Sequence, residues 1–370
     1  MTGVKGSRVL IGLLGVAVVV TLSGCPFRRP APRQQPGRVL ERHRDVERGS
    51  PLVLGFYTEK GPGEETDSAD SLRRNYRLLD ELAFFWYTFD GNGNIRTWGA
   101  PRFESLDFAK SRNIKTFALV HNLGPAGFDP ALAHSVITRP EARQRFIRGI
   151  EKVLGEKGFD GVQVDIEAVP PADRQAYTSF LKELRDGLKG KMISISIPAK
   201  TWDDPQNQWS GGFDYGQVHK FVDQVVLMTY DEHGLGTTAG PIASLGWVEN
   251  VIKYALRNMP RDKVLMGLPV YSFDWSSSKP NLPDYLTFRQ VMERRSKYRA
   301  KINWNDRFKV PSFRYTDGQG NNHEVFFENA RSASAKLGLV KKYNLHGVAI
   351  WRMGMEDPKV WKEVGRLPKG

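Results

Sequence analysis

Short apolar runs recur along the chain after Pro51, separated by segments whose apolar residues fall at three- and four-residue spacing. Leu52 to Tyr57, Leu82 to Phe89, Ile114 to His121, Gly161 to Ile166, Met192 to Pro198, Gln224 to Tyr230, Val264 to Pro269 and Gly347 to Trp351 each have the length of a buried strand. Leu106 to Arg112, Pro140 to Glu156, Pro171 to Leu188, Ser244 to Arg257 and Asn329 to Lys342 carry the helical period. Strands alternating with helices in this number predict an α/β fold, a (β/α)8 TIM barrel, with a doubly wound open sheet as the alternative. Residues 271–326 are too long for an ordinary strand-to-helix loop and contain a hairpin pattern from Tyr315 to His323, so a small α+β insertion after the seventh strand is expected.

The fourth strand breaks the apolar rule for buried barrel strands. Val162, Val164 and Ile166 alternate with Gln163, Asp165 and Glu167, which puts polar groups on one face. Burying two carboxylates costs several kcal/mol unless they have partners or a chemical role. In a barrel, the C-terminal ends of the strands form the floor of the active site, and Asp165 and Glu167 sit at such an end. Their backbones lie roughly 6 to 7 Å apart, close enough for like charge to raise one pKa and keep a carboxylic acid protonated near neutral pH. A pair of structural carboxylates bonded to backbone or arginine is the alternative. Asp160 has the opposite parity and reads as structural, at the start of the strand beside Gly161.

Other strand ends carry related groups. Met228 and Tyr230 share a face at the end of the sixth strand, followed by Asp231. Trp351 ends the eighth, Tyr57 ends the first and Asn122 follows the third. An acid pair ringed by Tyr, Trp and Asn suits a sugar, because pyranose rings offer apolar C–H faces to aromatics and hydroxyls to amides.

Composition adds a location to this picture. The 370 residues are 40% hydrophobic, enough for a sizeable core, and carry a formal net charge of +13. Such a charge points to an anionic neighbourhood, although seven of the arginines fall between Arg28 and Arg48. Lys5 and Arg8 precede an apolar run from Val9 to Leu22, and Leu22-Ser23-Gly24-Cys25 has the form of a bacterial lipobox. Cys25 is the single cysteine, which excludes an internal disulfide and reads here as a lipidation site. The expected organisation is a signal peptide over 1–24, a Pro- and Arg-rich tether over 25–50 and a barrel over 51–370. Export and lipid anchoring to the outer face of the cell membrane follow from it.

Competing chemistries find no pattern: the sequence has no His-Glu-x-x-His metal spacing, no Gly-x-Ser-x-Gly elbow, no P-loop and no basic-aromatic nucleic-acid motif. Asp90-Gly91-Asn92-Gly93-Asn94 opens like a calcium loop, but Ile95 and Pro101 stand where glycine and glutamate are needed, so it reads as a turn.

Asp160-Gly161-x-Gln163-x-Asp165-x-Glu167 closely resembles the Asp-x-x-Asp-x-Asp-x-Glu signature of glycoside hydrolase family 18, and Met228-x-Tyr230-Asp231 resembles that family's second motif. Tyr230-Asp231-Glu232-His233 and Trp351-Arg352-Met353-Gly354 look most like its spore-cortex-lytic and spore-germination branch. The resemblance implies a retaining mechanism in which the substrate's own acetamido group is the nucleophile, with N-acetylglucosamine-containing polysaccharide as substrate and no metal or cofactor. It gives Glu167 the role of acid and base, Asp165 that of orienting the acetamido group, and Tyr230 that of bonding its carbonyl. Met228, Asp231 and Trp351 shape the pocket. Gln163 departs from the family's aspartate, for which an altered pH dependence is expected. The N-terminal wall-binding repeats frequent in the branch do not fit within the tether. A chitinase or other endo-glycosidase, and a non-catalytic carbohydrate-binding barrel, are the alternatives.

Overall fold

Parallel pairing carries the chain around a full circle. In the computed structural model, which describes residues 50–59 and 67–368, the barrel strands are β1 Leu52–Tyr57, β2 Glu81–Phe89, β3 Lys115–His121, β4 Gly161–Asp165, β5 Met192–Pro198, β6 Gln224–Met228, β7 Val264–Pro269 and β8 Gly347–Trp351. Each pairs in parallel with its neighbours, and β1 pairs with both β8 and β2, which closes the barrel and rules out the open sheet. A short strand, Ile95–Thr97, adds antiparallel to the rim of β2. The sequence-predicted leader, Cys25 and tether lie outside the described residues up to position 49. No helix among the described residues is long and apolar enough to cross a membrane.

Side-chain parity splits the core in two. Leu54, Phe56, Ala83, Phe85, Phe117, Leu119, Val226, Leu265 and Ala349 fill the barrel interior, and Trp351 packs against them. Residues of opposite parity, such as Val53, Phe84, Val162, Val164, Ile195 and Leu227, face the helices in a larger cluster. The interior is too narrow for a wide side chain at every position. At Gly161 an added Cβ would stand 2.4 Å from the Met192 carbonyl oxygen, so glycine lets β4 and β5 approach.

Helices Phe103–Lys110, Pro140–Lys157, Arg174–Gly187, Leu245–Asn258 and Ala330–Tyr343 cover the sheet. Two further helices, Ser68–Asn75 and Pro130–Thr138, were not expected. The first buries Ser68, Ala69, Ser71 and Leu72, a face with one large apolar residue, so it leaves almost no apolar period to read. Both begin at an aspartate, Asp67 or Asp129, whose carboxylate accepts the free N–H groups of the first turn.

The insertion after β7 is a five-stranded antiparallel sheet built from Ser272–Ser276, Lys279–Leu286, Asn303–Asn305, Val310–Thr316 and Asn322–Phe327, with helix Phe288–Lys297 against it. Its hairpin pairs Tyr315 with His323 and Thr316 with Asn322, and the Asp317 carboxylate caps the turn by accepting from the N–H of Gln319 and Asn321. Asp90 works the same way between β2 and the rim strand, accepting from the N–H of Asn92 and Asn94.

Candidate active site

The polar face of β4 points into the barrel, and each residue on it has a different environment. Gln163 is fully buried and donates from Nε2 to Ser196 Oγ on β5 at 2.9 Å. Asp165 is 4% exposed. Burial pushes its carboxyl up to about 6, against the lowering effect of the nearby Ser196 hydroxyl. Asp160, of opposite parity, accepts from both the backbone N–H and the hydroxyl of Thr116 at 2.7 and 3.1 Å, tying the foot of β4 to β3.

Glu167 lies two residues beyond the last paired residue of β4. Asn122, just past β3, replaces the missing ladder: its Oδ1 accepts from Glu167 N–H and its Nδ2 donates to Glu167 C=O, both at 2.9 Å. Nδ2 also donates to the Asp129 carbonyl. Asn122 is therefore fully buried and committed to backbone, a clamp under Glu167 with no free donor for a sugar. Ala168, next in the chain, takes a left-handed conformation at φ 52°, which swings the chain off the barrel axis immediately after the carboxylate.

The Glu167 carboxyl sits well above the ordinary glutamate range. Burial is the largest cause, and the neighbouring charges of Asp165 and then Asp231 add to it. Asp231 keeps an exposed face, yet its carboxyl accepts a hydrogen bond from the Tyr271 hydroxyl and is pushed up to about 6 by the protein packed around it. It too is in the left-handed region, at φ 59°, directly after Tyr230. Three carboxyls thus share one low-dielectric mouth, and the cheapest way to hold them there is to keep a proton on one.

Aromatic groups wall this mouth. The half-buried rings of Tyr230 and Trp351 lie nearly parallel, 19° between planes, with centroids 6.5 Å apart. Phe56 meets Trp351 edge-on at 5.2 Å, and Phe85 does so at 5.9 Å. Gly267 on β7 makes room for this layer, since a Cβ there would stand 2.8 Å from the Tyr230 ring. Met228, 8% exposed, ends β6 on the inner face. The peptide bond from Trp351 to Arg352 is cis, and Arg352 donates to the Thr58 hydroxyl.

Tyr57 is not part of this wall. Its parity sends it outward, where its ring lies 4.9 Å from Phe84 and its hydroxyl bonds Ser105 at 2.9 Å. Phe56 takes the place expected for it. Sequence inspection also passed over Ser196, Tyr271 and His121. His121 is the register partner of Asp165 on β3, fully buried and stacked 4.0 Å from Phe85. Its Nδ1 accepts from Leu123 N–H, and burial holds its pKa down to about 3, so it stays neutral. Parity along β3 and β5 points to His121 and Ser196, whereas Tyr271 belongs to no strand pattern.

Residues 53–356 match the sequence profile of glycosyl hydrolases family 18. The chain belongs to this family. It is 31% identical to the uncharacterized glycosylase YvbX of Bacillus subtilis over 322 residues, 86% of this chain and 92% of that protein. It is 32% identical to the cortical fragment-lytic enzyme of B. subtilis over 289 residues, 76% of this chain and 66% of that protein. Among solved structures, a chitinase from Chromobacterium violaceum superposes with a TM-score of 0.79 at 28% identity, covering 86% of this chain and 98% of that one. The Bacillus cereus spore cortex-lytic enzyme SleL gives the same TM-score at 25% identity, covering 86% and 74%. This family 18 member is a glycosidase, related to spore cortex-lytic enzymes and chitinases.

Proposed function

We propose that this glycosidase cleaves β-linked N-acetylglucosamine glycans of the bacterial wall, peptidoglycan or spore cortex, with the substrate's acetamido group as nucleophile. The observation that carries the reading is the shared burial of Glu167 and Asp165 beside Tyr230, with the proton favoured on Glu167. Glu167 gives that proton to the glycosidic oxygen as the bond from C1 to that oxygen breaks. The acetamido carbonyl oxygen bonds to C1 from the opposite face, forming an oxazolinium ion whose positive charge is balanced by ionised Asp165. Tyr230 donates to the same carbonyl, and Trp351 and Met228 floor the pocket. The Glu167 carboxylate then takes a proton from water, whose oxygen bonds to C1 and opens the ring, so the configuration at C1 is retained.

Likeness to the cortical fragment-lytic enzyme favours peptidoglycan, and likeness to the C. violaceum chitinase favours chitin-type polymers as the second reading. Digestion of purified peptidoglycan, cortex and chitin oligomers, with mass spectrometry of the new reducing ends, separates them. Muropeptides ending in N-acetylglucosamine are the expected products; release of chitobiose alone overturns the wall assignment.

The lipobox ending at Cys25 supports export and lipid anchoring on the outer face of the membrane, with 1–24 removed, 25–50 as tether and 51–370 as the catalytic unit carrying the insertion over 271–326. Labelled fatty acid is expected to mark the wild-type protein and not Cys25→Ala. Equal marking of both, or of neither, refutes the anchor.

A further inference from the structure

The loop that leaves β5, residues 199–214, presents two tryptophans to solvent. Seven of the nine tryptophans in the chain are buried or half-buried, and the two exceptions, Trp202 at 70% and Trp209 at 47% exposed, both stand in this loop. Bare indole is unfavourable in water, so a pair of them on one loop marks a surface that meets something apolar. The loop lies at the catalytic rim. Pro198, the last residue of β5, is the register partner of Met228 in the pocket floor. At Gly212 an added Cβ would stand 2.4 Å from the carbonyl oxygen of Val169, two residues beyond Glu167, so the loop rests on the chain that leaves the acid. Polar anchors hold it there. Lys200, 4% exposed, donates from Nζ to the Phe213 carbonyl at 2.6 Å and to the Asp203 carboxylate at 2.9 Å. Arg174 donates to the same carboxylate at 2.7 Å and to the Gly211 carbonyl at 2.9 Å. Asn207 Oδ1 accepts from the N–H of Trp209 and Ser210 at 3.0 and 2.9 Å. The backbone under both indoles is thereby fixed while the rings themselves meet solvent, which lowers the ordering cost of a ligand placed on them.

We propose that Trp202 and Trp209 are a glycan-binding platform, on which pyranose rings of the same polysaccharide stack beyond the sugar held at Glu167. This deepens the functional reading above and rests on it. A polymer seated in the mouth has to leave over the strand-end loops, and indole faces suit the C–H faces of neutral pyranoses. Exposed Gln206 and Gln208, between the two indoles in sequence, offer amides to the hydroxyls. The charge of the loop selects among apolar partners. Asp203, Asp204 and Asp214 stand against one lysine, Lys200, which is buried and ion-paired. Tryptophans that enter an anionic membrane interface are joined by exposed lysine or arginine, and residues 199–214 have none. The occupant is thus a neutral sugar face. The platform extends the site along the glycan strand, so that long glycans are favoured over short ones.

Trp202→Ala, Trp209→Ala and the double variant test this in the full chain, with chitin oligomers of about three and about six units and with peptidoglycan strands as substrates. Loss of one stacking contact is expected to raise KM on the longer oligomer about threefold, and loss of both about tenfold. The ratio of kcat/KM on the long oligomer to that on the short one falls by the same factor, and hydrolysis of peptidoglycan strands slows with it. Trp202→Tyr with Trp209→Tyr, which keeps two aromatic faces, is expected to restore most of the ratio. A merely structural role would lower the melting temperature and weaken action on both oligomers together, whereas the platform moves the ratio and leaves the melting temperature within about 2 °C of the wild type. A ratio that the double variant leaves unchanged, in a wild type active on both oligomers, overturns the platform alone. A wild type that cleaves no N-acetylglucosamine glycan overturns the functional reading and the platform with it. Co-sedimentation with phosphatidylglycerol vesicles that the double variant loses, with the ratio unchanged, gives the loop to a lipid surface and likewise overturns the inference.

Discussion

Glu167 holds its proton because the protein makes the charged form expensive, and that expense has a measurable second face. The folded pKa of Glu167 is raised above its unfolded value by burial and then by the charges of Asp165 and Asp231. The sign follows: the folded state binds the extra proton, so this contribution to stability is intact below the unfolded pKa and is lost as pH rises through the folded one. Glu167→Gln keeps shape and hydrogen-bonding capacity but never ionises. It is expected to lower kcat by roughly 10³-fold or more while leaving oligosaccharide affinity within about threefold. It should also stabilise the fold by about 1 to 3 kcal/mol near pH 8, and by nearly nothing near pH 4. Melting curves of both proteins at the two pH values check this; an equal offset at both would show that the carboxyl is not strained in the fold. Its neighbour Asp165 gives the complementary limb. Activity that needs Asp165 ionised is expected to fall as pH drops through about 6.

Parity along single strands decides which aromatic residues line the barrel mouth. On β1, Phe56 faces the interior and Tyr57 the helices, one residue apart. Tyr57→Phe is expected to cost about 1 kcal/mol of stability through the lost Ser105 bond and to leave KM unchanged, whereas Phe56→Ala, which withdraws support from Trp351, is expected to raise KM several-fold. The reverse pattern would place the sugar on the other face. The lower end of the barrel carries its own polar layer: Gln224 on β6 donates to Glu81 on β2 at 2.7 Å, and burial pushes the Glu81 carboxyl up to about 7. Since this folded value lies above the unfolded one, stability is expected to decline by on the order of 3 kcal/mol as pH rises through about 7. Glu81→Gln should flatten that decline in denaturant titrations. Strand count, strand order and the two carboxylates were legible in the sequence because period and parity determine them. Tyr57 was misplaced because the last residue of a short apolar run gives no parity anchor when the residue before it, Phe56, is aromatic too. Asn122 was located correctly at a strand end, but only the irregular path of the chain after Asp165 shows that its amide is consumed by backbone. Helix Ser68–Asn75 was invisible because serines supply half of its buried face.

The whole chain carries a formal net charge of +13, and its carboxylates of highest consequence are hidden inside the barrel mouth. At long range a net positive charge presents an attractive field to a polyanion. If the substrate is the anionic wall polymer, that field raises the encounter rate, and the gain is screened once the Debye length falls below about 10 Å, near 0.1 M salt. Uncharged N-acetylglucosamine oligomers feel none of it. Raising NaCl from about 0.05 M to about 0.5 M is thus expected to lower kcat/KM on peptidoglycan by roughly tenfold and to leave hydrolysis of chitin oligomers within about twofold. The loss should appear in KM and the association rate, with kcat preserved, because the charges act before the glycosidic bond enters the mouth. Part of the charge lies in the seven arginines between Arg28 and Arg48. Replacing those seven by glutamine divides the effect: a salt dependence that survives belongs to the barrel surface, and one that disappears belongs to the tether. Equal salt dependence on charged and uncharged glycans would show that electrostatic steering has no part in substrate choice.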